Sequence, residues 1–310
     1  MAFEERLEAH RVELTGYCYR MLAGAAEAED AVQETFVRAW KNADRFDERK
    51  ARLRTWLYRI ATNVCLDMAR GAQRRGLAMD LGPSSPLGGS LGAPLSPAAF
   101  VQPIPDRLVL PGDPAEVVAG RETIRLAFVA ALQALPPRQR AVLILREVLC
   151  WSAEEVAGLL ESSPAAVNSA LQRARAVLPA TRPAGDPGEV DEELLERYVA
   201  AFTAYDVDGL VALLHQDVTM SMPPFAWWIG GRDVIRAALV GAGGECSDDL
   251  LVRTAANGSP AFAQYRGGTA FGLVVLDFRD GLIGAMTTYL DPSLFALFGL
   301  PMNPEPPARM

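Results

Sequence analysis

Cysteine and histidine are scarce in this chain of 310 residues, which has four cysteines and two histidines. The cysteines are widely separated and form no C-x-x-C pair, so the sequence does not have the spacing of a zinc site. We therefore expect no metal and no other cofactor, and we expect the cysteines to be buried thiols in a reducing cytosol. The residues concerned are Cys18, Cys65, Cys150, Cys246, His10 and His215.

Long apolar runs are also missing, although apolar residues make up 50% of the chain. A membrane span needs about 20 consecutive apolar residues, so the sequence predicts no transmembrane helix. The first residues, MAFEERLEAHRVEL, are charged and amphipathic and do not resemble the apolar segment of a signal peptide. We therefore expect a cytoplasmic protein.

The formal net charge of −8 is unevenly distributed along the chain. Residues 1–76 carry 14 Lys and Arg against 12 Asp and Glu, and residues 121–182 carry 8 against 5. Residues 183–310 carry 7 against 17. Two mildly basic segments joined to an acidic one indicate a polyanionic partner for the first part of the chain and a different task for the last.

Composition also divides the chain into segments. Residues 77–114 are rich in Gly, Pro and Ser without periodicity, which predicts a flexible linker, and a shorter break covers residues 179–189. The predicted domains are therefore 1–76, 115–180 and 190–310. The first two read as all-helical, whereas the third contains short β-prone runs.

The stretch DAVQETFVRAW predicts a helix with two different faces. One stripe has an apolar residue at every fourth position, which is typical of a buried face: Ala28, Val32, Phe36 and Trp40. A second stripe places an aliphatic residue beside a Gln-Glu pair, which a solvated face seldom needs. This second stripe is predicted to contact a partner, and it consists of Asp30, Gln33, Glu34 and Val37.

A longer helix is predicted over LRTWLYRIATNVCLDMARGAQRR, with Trp56 on its buried stripe. Another face carries polar residues spaced 7 and 4 positions apart, which align because two helical turns take about seven residues. This face is either an ordinary solvated surface or a contact for a nucleic-acid backbone, with Asn63 positioned to reach a base edge. Its residues are Arg52, Arg59, Asn63, Arg70 and Arg74.

The second segment ends in a pattern that predicts a helix-turn-helix. SAEEVAGLLE opens with the capping pair Ser152 and Glu155, and SPAAVNSALQRARAVL opens with Ser163 before Pro164. In such a motif the second helix enters the major groove, whereas an ordinary helical hairpin is the alternative. The outward residues of the second helix are Asn168, Ser169, Gln172, Arg173 and Arg175.

These stretches, together with ALPPRQRAVLILREVL, resemble the extracytoplasmic-function sigma factors of the bacterial sigma-70 family. The resemblance covers residues 8–76 and 122–178. It implies that the Asp30 stripe docks on the clamp helices of the largest subunit of RNA polymerase. It further implies that the second segment reads the −35 promoter element through the outward residues of its second helix and binds the polymerase flap. The residues implied at the −10 element are Arg45, Arg52, Arg54, Arg59, Asn63 and Arg70.

The third segment predicts helices followed by an antiparallel sheet, with a strand at Val218–Met222 and hairpin turns at Asn257-Gly258 and Asp280-Gly281. It resembles a SnoaL-like domain, which implies an α+β cone. The whole chain is thus predicted to be multidomain, with two all-α sigma domains and an α+β cone.

Enzymes related to the SnoaL-like domain make catalysis an alternative for this segment, as a ketosteroid-isomerase-type enzyme or a ligand-binding domain fused to DNA-binding modules. Catalysis needs an acid-base pair inside the cone, and none stands out, because His215 reads as a rim residue and Asp217 as a turn residue. We therefore predict a non-enzymatic accessory domain. The resemblance to sigma factors with a fused SnoaL-like domain implies that this domain modulates the sigma segments, and we expect a small molecule as a further partner. The residues predicted to line a ligand cavity are Met220, Met222, Trp227, Tyr265, Phe271 and Tyr289.

Three functions remain open on the sequence. The first is a promoter-specificity subunit of RNA polymerase with a regulatory tail. The second is a DNA-binding regulator that does not need polymerase, and the third is an enzyme that carries DNA-binding modules. The Asp30 stripe favours the first over the second, because a stand-alone regulator has no use for a polymerase-docking face.

Overall fold

The computed structural model describes residues 3–49, 52–110, 120–178, 191–243 and 249–304. They form two compact units. The helical unit contains residues 1–76 and 101–181, and the second unit contains residues 77–100 and 182–310. The break predicted at 179–189, the linker residues 111–114 and Cys246 lie outside the described residues.

The N-terminal bundle of the helical unit packs around α2, whose Leu14, Tyr17 and Tyr19 are completely buried. Burial of each such large side chain contributes about 1.5–3 kcal/mol of transfer free energy. The Tyr17 hydroxyl lies 2.8 Å from Thr62 Oγ1 in α4, so the buried polar group has a partner. The helices of this bundle are α1 (Phe3–Glu8), α2 (Arg11–Leu22), α3 (Ala25–Lys41) and α4 (Leu53–Met68), with a 3₁₀ turn at Ala43–Arg45.

Helix α4 is shorter than the sequence predicts, because it ends at Met68. Gly71 follows in a left-handed conformation with a φ of +76°, which stops the helix. The predicted basic face therefore lies only partly on a helix: Arg59 and Asn63 are helical, whereas Arg70 and Arg74 come after its end.

The helix-turn-helix domain follows, and its caps are those that the sequence predicts. Ser152 Oγ accepts a hydrogen bond from Glu155 N at 3.1 Å, and Glu155 Oε2 accepts one from Ser152 N at 2.8 Å. Ser163 Oγ caps the second helix through Ala166 N at 3.2 Å. The helices are α7 (Leu126–Gln133), α8 (Pro137–Leu143) with a π turn at Ile144–Val148, α9 (Ala153–Leu159) and α10 (Pro164–Val177).

Residues 77–110, predicted as part of a flexible linker, contain defined structure. Residues 77–100, which we call the linker loop, belong to the second unit, whereas 101–110 pack in the helical unit beside α2. The loop closes at its base, where Val101 N donates to Gly76 O at 3.0 Å. Its short elements are α5 (Ala78–Leu81) and a 3₁₀ turn at Pro97–Ala99, and α6 (Asp106–Val109) follows in the helical unit.

The C-terminal domain in the second unit is an α+β fold with a six-stranded sheet in the order β2-β1-β6-β5-β4-β3. Neighbouring strands are antiparallel except β1 and β6, which are parallel. The inner face of the sheet packs against helices α11 to α13. The helices are α11 (Glu192–Thr203), α12 (Val207–Ala212), α13 (Arg232–Gly241) and α14 (Leu294–Phe298), and the strands are β1 (Leu214–Ser221), β2 (Trp228–Gly230), β3 (Leu250–Ala256), β4 (Ser259–Arg266), β5 (Thr269–Arg279) and β6 (Leu282–Tyr289).

Both predicted hairpin turns are confirmed. Asn257 and Gly258 have φ values of 57° and 70°, and Asp280 and Gly281 have values of 52° and 73°, so each pair suits a two-residue turn with positive φ. Strand β1 begins four residues earlier than predicted, at Leu214. The prediction of Asp217 as a turn residue is therefore wrong, because this residue lies inside β1, where the pairing with β6 shifts register.

Candidate polymerase and promoter interfaces

The outer stripe of α3 is exposed over its whole length. Asp30, Gln33 and Glu34 are exposed, and Val37 is 43% exposed. Glu34 accepts a hydrogen bond from Arg38 Nε at 2.6 Å, one helical turn further on. The stripe therefore combines charged and amide groups with one exposed aliphatic side chain.

Trp40 was predicted to continue the buried stripe of α3, and this is wrong, because its side chain is 60% exposed. Ala28 and Val32 are buried as predicted, whereas Phe36 is half-buried and Trp40 falls in the last helical turn, which ends at Lys41. Residues three apart on a helix are neighbours, so Trp40 extends the face that Val37 belongs to. The exposed stripe thus ends in a large aromatic side chain, and we call Asp30, Gln33, Glu34, Val37 and Trp40 the α3 face.

Most residues predicted at the −10 element are accessible in the N-terminal bundle. Arg59 and Asn63 are exposed and lie one helical turn apart on the same face of α4. Trp56 is only half-buried and stacks on Phe46, with ring centroids 5.0 Å apart. The exposed members of the predicted set are Arg45, Arg52, Arg59, Asn63 and Arg70.

Arg54 differs from the rest of that set, because it is half-buried and already has partners. Its Nε donates to Glu13 Oε2 at 2.7 Å, and its guanidinium lies 5.1 Å from the ring centre of Tyr58 and 5.7 Å from that of Trp151. Burial opposes the charged form of Arg54, but its interactions with Glu13 and Tyr58 outweigh burial and raise the pKa of Arg54 overall, while burial raises the pKa of Tyr58. Since Trp151 belongs to the helix-turn-helix domain, Arg54 takes part in the contact between the two halves of the helical unit.

The recognition helix α10 presents the polar face that the sequence predicts. Val167, Leu171 and Ala174 are buried, and the predicted outward residues are all exposed. Arg173 donates to Ser169 Oγ at 2.7 Å, which orients its guanidinium along the helix. Arg175 instead forms an ion pair with Glu147 at 2.5 Å, so it is set apart from that face. The residues brought together are Asn168, Ser169, Gln172 and Arg173.

Two buried arginines that join the halves of the helical unit were missed in the sequence. Arg140 in α8 donates to the carbonyl oxygens of Leu132 at 2.9 Å and Leu135 at 3.1 Å, and also to that of Met21 in α2. Arg20 in α2 donates to Thr123 O at 3.1 Å and to Thr123 Oγ1 at 2.7 Å.

Burial lowers the pKa of Arg20 and of Arg140 to about 10, so both remain protonated at neutral pH. The position of Arg140 gave a usable signal, because it lies three and four residues before the buried Leu143 and Ile144, at the spacing of a core stripe.

The residues predicted to line a ligand cavity do not lie together in the C-terminal domain. Met220 and Trp227 pack against the inner core, whereas Tyr265 packs edge-on against Phe295 of α14 at 5.1 Å, on the other face of the sheet.

Tyr289 is paired with Leu273, the cross-strand neighbour of Ala263, which belongs to the same outer cluster as Tyr265. Cross-strand partners share a face, so Tyr289 also lies outside the inner face. Phe271 stacks under the guanidinium of Arg266 at 3.8 Å, and Met222 follows the end of β1.

His215 and Asp217 lie near the turn that connects β5 and β6 rather than within the inner core. His215 Nε2 is 3.7 Å from Asp280 Oδ2, and Asp217 Oδ2 is 3.7 Å from Arg279. Asp217 and Asp280 are exposed, whereas the His215 side chain is only 14% exposed.

A buried carboxylate in the C-terminal domain was also missed in the sequence. Asp249 is 2% exposed and accepts hydrogen bonds from Gln264 Nε2 at 2.6 Å and Arg266 Nη2 at 3.0 Å. These donors satisfy the buried carboxylate, and the cluster connects the start of β3 to the end of β4.

The linker loop lies against the edge strand of the sheet. Trp228 in β2 donates from Nε1 to Gly82 O at 2.9 Å, and Ser85 N donates back to Trp228 O at 2.7 Å. A third bond runs from Leu95 N to Pro224 O at 2.8 Å. The apolar side chains that accompany these bonds form one small cluster: Ala78, Leu81, Ala99, Phe100 and Trp228.

Two further features concern the part of the chain that the structure describes. None of its helices has the length and apolar character needed to cross a membrane. Within the same residues, no group of three or more His, Cys, Asp or Glu side chains is arranged to hold a metal ion.

These features define a class of protein: a helix-turn-helix domain packed on a second helical bundle that has an exposed stripe of polar and apolar side chains, followed by an α+β domain. Comparisons with protein families agree with this class. Models of Sigma-70 region 2, Sigma-70 region 4 and a SnoaL-like domain match residues 7–75, 125–178 and 195–286.

Curated relatives place the chain more closely. ECF RNA polymerase sigma factor SigG of Mycobacterium tuberculosis is 44% identical over 96% of this chain and 84% of the relative. SigJ of the same organism is 33% identical over 69% of this chain and 62% of its own length. The crystal structure of SigJ covers 97% of this chain with a TM-score of 0.65 at 24% sequence identity, which shows the shared fold. The chain belongs to the extracytoplasmic-function RNA polymerase sigma factors and carries a SnoaL-like domain at its C-terminal end.

Proposed function

We propose that the protein, as a sigma factor in the cytoplasm, docks on the clamp helices of the largest polymerase subunit through the α3 face and directs the enzyme to a specific set of promoters. The observation that carries this proposal is the exposure of a polar and apolar stripe on α3 together with a separate polar face on α10. A DNA-binding regulator that acts alone needs only the second. The −10 element is contacted by the exposed residues of α4 and its flanking loops, and the helix-turn-helix domain binds the −35 element and the polymerase flap.

Run-off transcription tests this proposal directly. The purified full chain is added to core RNA polymerase on a library of genomic promoter fragments, and transcripts that depend on the chain are sequenced. We expect a limited set of promoters that share −10 and −35 sequences. If no promoter fragment yields a transcript that requires the added chain, the proposal is contradicted.

Base reading at the −35 element is assigned to Gln172, which is exposed on the face of α10 that also carries Asn168 and Ser169. Because a glutamine pairs with adenine through two hydrogen bonds, we expect Gln172→Ala to relax preference at one −35 position by roughly 1–3 kcal/mol. The measurement is run-off transcription from single-base variants of one promoter. Gln216→Ala removes an exposed amide from the C-terminal domain and serves as the matched control. An unchanged ranking of all −35 variants for Gln172→Ala would disprove this register of the recognition helix.

We further propose that the C-terminal domain modulates the sigma segments by holding the linker loop, and that it has no catalytic role. The support is the set of hydrogen bonds between the loop and the β2 edge, in which Trp228 is both donor and acceptor. A sigma factor must place its two DNA-binding parts on separate promoter elements, and the linker is the chain between them. A domain that binds this linker therefore acts on the step at which the two parts separate.

Releasing the loop is expected to raise transcription. Trp228→Ala removes the indole hydrogen bond to Gly82 O and most of the apolar contact with the linker loop. Losing about 1 kcal/mol of interaction free energy between the loop and β2 should increase run-off transcription roughly threefold to tenfold. Trp227→Ala is the control, because the adjacent tryptophan packs on the inner core instead. Equal effects of the two variants would show that the loop contact does not set activity.

A chain that ends at residue 182 complements the point variants, because it lacks the whole C-terminal domain. A second chain that ends at residue 291 lacks α14, whose Phe295 packs on the outer face of the sheet. If both chains transcribe like the full chain at all promoters, also with metabolites added, the C-terminal domain is not a regulator.

A further inference from the structure

The exposed polar face of α10 contains an internal hydrogen bond. Arg173 Nη1 donates to Ser169 Oγ at 2.7 Å, one helical turn towards the start of the helix. We propose that Ser169 is a positioning residue, whose hydroxyl holds the guanidinium of Arg173 on the base-reading face so that Arg173 selects a guanine in the −35 element. The inference rests on the −35 reading proposed above and extends it from one base to a second.

The direction of the Arg173 side chain matters because of where this residue lies in the helix. Arg173 is the tenth of the fourteen residues of α10, whereas the side chains near the start of a recognition helix are the ones that reach base edges. Each residue of an α-helix adds 1.5 Å of rise, so a guanidinium level with Ser169 lies about 6 Å nearer the start of the helix than its own backbone. The hydrogen bond therefore brings Arg173 among the base-reading side chains.

A groove beside this face offers Arg173 a second direction. The groove runs between α8 and α10, and Arg138, Gln139, Ala170 and Arg173 are among the residues that line it. A long side chain without an anchor occupies several rotamers, and ordering it on binding opposes association. Because the Ser169 hydroxyl orders the side chain before DNA binds, the contact with the base is preorganised.

The bond to Ser169 leaves Arg173 able to make two hydrogen bonds to one base. A guanidinium has five N–H donors, and Ser169 accepts from Nη1 only. The edge formed by Nε and Nη2 presents two parallel donors, and in the described part of the chain neither atom has a partner. Guanine offers O6 and N7 as the matching pair of acceptors in the major groove. The free edge of Arg173 is therefore assigned to a guanine.

Arg175 does not have this free edge, although it was predicted for the same face. Its Nε donates to Glu147 Oε1 in the π turn at 2.5 Å. The ion pair directs the guanidinium towards α8 and its π turn, away from the hydroxyl of Ser169. Of the two arginines predicted to read the −35 element, the geometry thus selects Arg173 for a base contact.

Run-off transcription by core polymerase with the full chain, from single-base variants of the −35 element, tests the inference. The wild-type chain should prefer guanine at one position that differs from the position read by Gln172. Arg173→Ala should reduce that preference about 5-fold to 100-fold, as expected for the loss of a bidentate base contact. Ser169→Ala should reduce the preference at the same position about threefold to tenfold, because Arg173 loses one ordering hydrogen bond.

Two further variants separate positioning from a structural role. Ser169→Thr keeps a hydroxyl at this position and should retain the guanine preference. The double variant Ser169→Ala with Arg173→Ala should behave like Arg173→Ala alone, because the two side chains act as one unit. Alanine is a better helix former than serine, so Ser169→Ala should not lower the midpoint of urea unfolding. Its loss of preference is then not caused by a weakened helix.

Four results would overturn the inference. The first is a wild-type chain that shows no guanine preference in the −35 element. The second is equal weakening of all promoters by Arg173→Ala with a smaller salt dependence, which is the behaviour of a phosphate contact. The third is loss of preference at a further position in the double variant, which would make Ser169 a base reader itself. The fourth is an equal loss for Ser169→Thr and Ser169→Ala.

Transcription by the wild-type chain reports on the proposed function separately. A chain that directs transcription from specific promoters but gives any of these four results would refute the role of Ser169 and leave the sigma function intact.

Discussion

Replacing Arg140 with methionine is expected to lower the free energy of unfolding of the helical unit by about 3–5 kcal/mol. The reason lies in its partners, because the guanidinium donates to backbone carbonyls of Met21, Leu132 and Leu135 that remain in place after the substitution. A buried ion pair replaced by apolar residues of similar size is often neutral, since both charges disappear together. Here only the donor disappears, and the carbonyl oxygens are left in a buried site.

Urea unfolding followed by far-ultraviolet circular dichroism measures this effect as a shift in the midpoint of the helical transition. Arg138→Met is the control, because Arg138 is exposed and donates to one carbonyl, that of Leu160 at 3.0 Å. The control should change the unfolding free energy by less than about 1.5 kcal/mol. If the two variants have the same midpoint, Arg140 is not a major contact between the halves of the unit.

Reversing the charge of Glu34 is expected to weaken binding to core RNA polymerase more than tenfold, which corresponds to about 1.4 kcal/mol. Glu34→Lys puts a cation in the centre of the α3 face, between Asp30 and Val37, and a docking contact cannot easily compensate for a misplaced charge. The fold should be unaffected, because Glu34 is exposed and its ion pair with Arg38 contributes only a few tenths of a kcal/mol. The measurement is the dissociation constant of the labelled chain with purified core polymerase.

The matched control for this experiment is Glu196→Lys, which changes the charge by the same amount on an exposed position of α11 in the C-terminal domain. Circular dichroism of both variants checks that the helices are retained. Undiminished binding by Glu34→Lys would remove the α3 face from the polymerase contact, whereas a loss shared by both variants would indicate a general charge effect.

Local signals predicted the helix-turn-helix and its caps well. A serine three residues before a glutamate, followed by an apolar stripe, satisfies the free N–H groups of a helix start without help from the rest of the chain. Ser152 and Glu155 show this geometry. The hairpin turns were predictable for the same reason, because Asn-Gly and Asp-Gly adopt positive φ at low cost.

Burial at the end of a helix was harder to predict. The four-residue spacing that led from Ala28 through Val32 and Phe36 to Trp40 is a property of one helix, whereas burial requires a second element opposite it. Trp40 lies in the last turn of α3 and is 60% exposed, so it has the spacing of a core residue and the exposure of a surface residue. Periodicity reports which residues share a face, and it does not report how far the covering element reaches.

The residues predicted to line a ligand cavity do not lie together, because the sequence does not show how the strands pair. Tyr265 and Gln264 are adjacent and face opposite sides, and the register of β4 with β5 shifts between them. Side chains alternate along one strand, but which face is inner depends on the pairing with neighbouring strands. Aromatic residues at strand spacing were therefore divided between the inner core and the contact with α14.

The linker was predicted from composition alone, and composition describes local preference only. Gly, Pro and Ser disfavour regular helices and strands, and the linker loop has little of either. Its order comes from backbone groups that bond to β2 and to the Pro224 carbonyl, more than 100 residues away in the chain. Such long-range bonds produce no periodic pattern in the amino-acid sequence.

The closed base of the linker loop also bears on the length of promoter that the protein can span. With Val101 N bonded to Gly76 O, residues 77–100 add nothing to the reach between the two DNA-binding halves. Once released, the same residues supply up to about 80 Å of extended chain. Promoters with a short spacer between the two elements therefore demand less of this chain than promoters with a long one. We infer that tolerance of spacer length is set by the C-terminal domain, through its hold on the loop, and not only by the helices that read the bases.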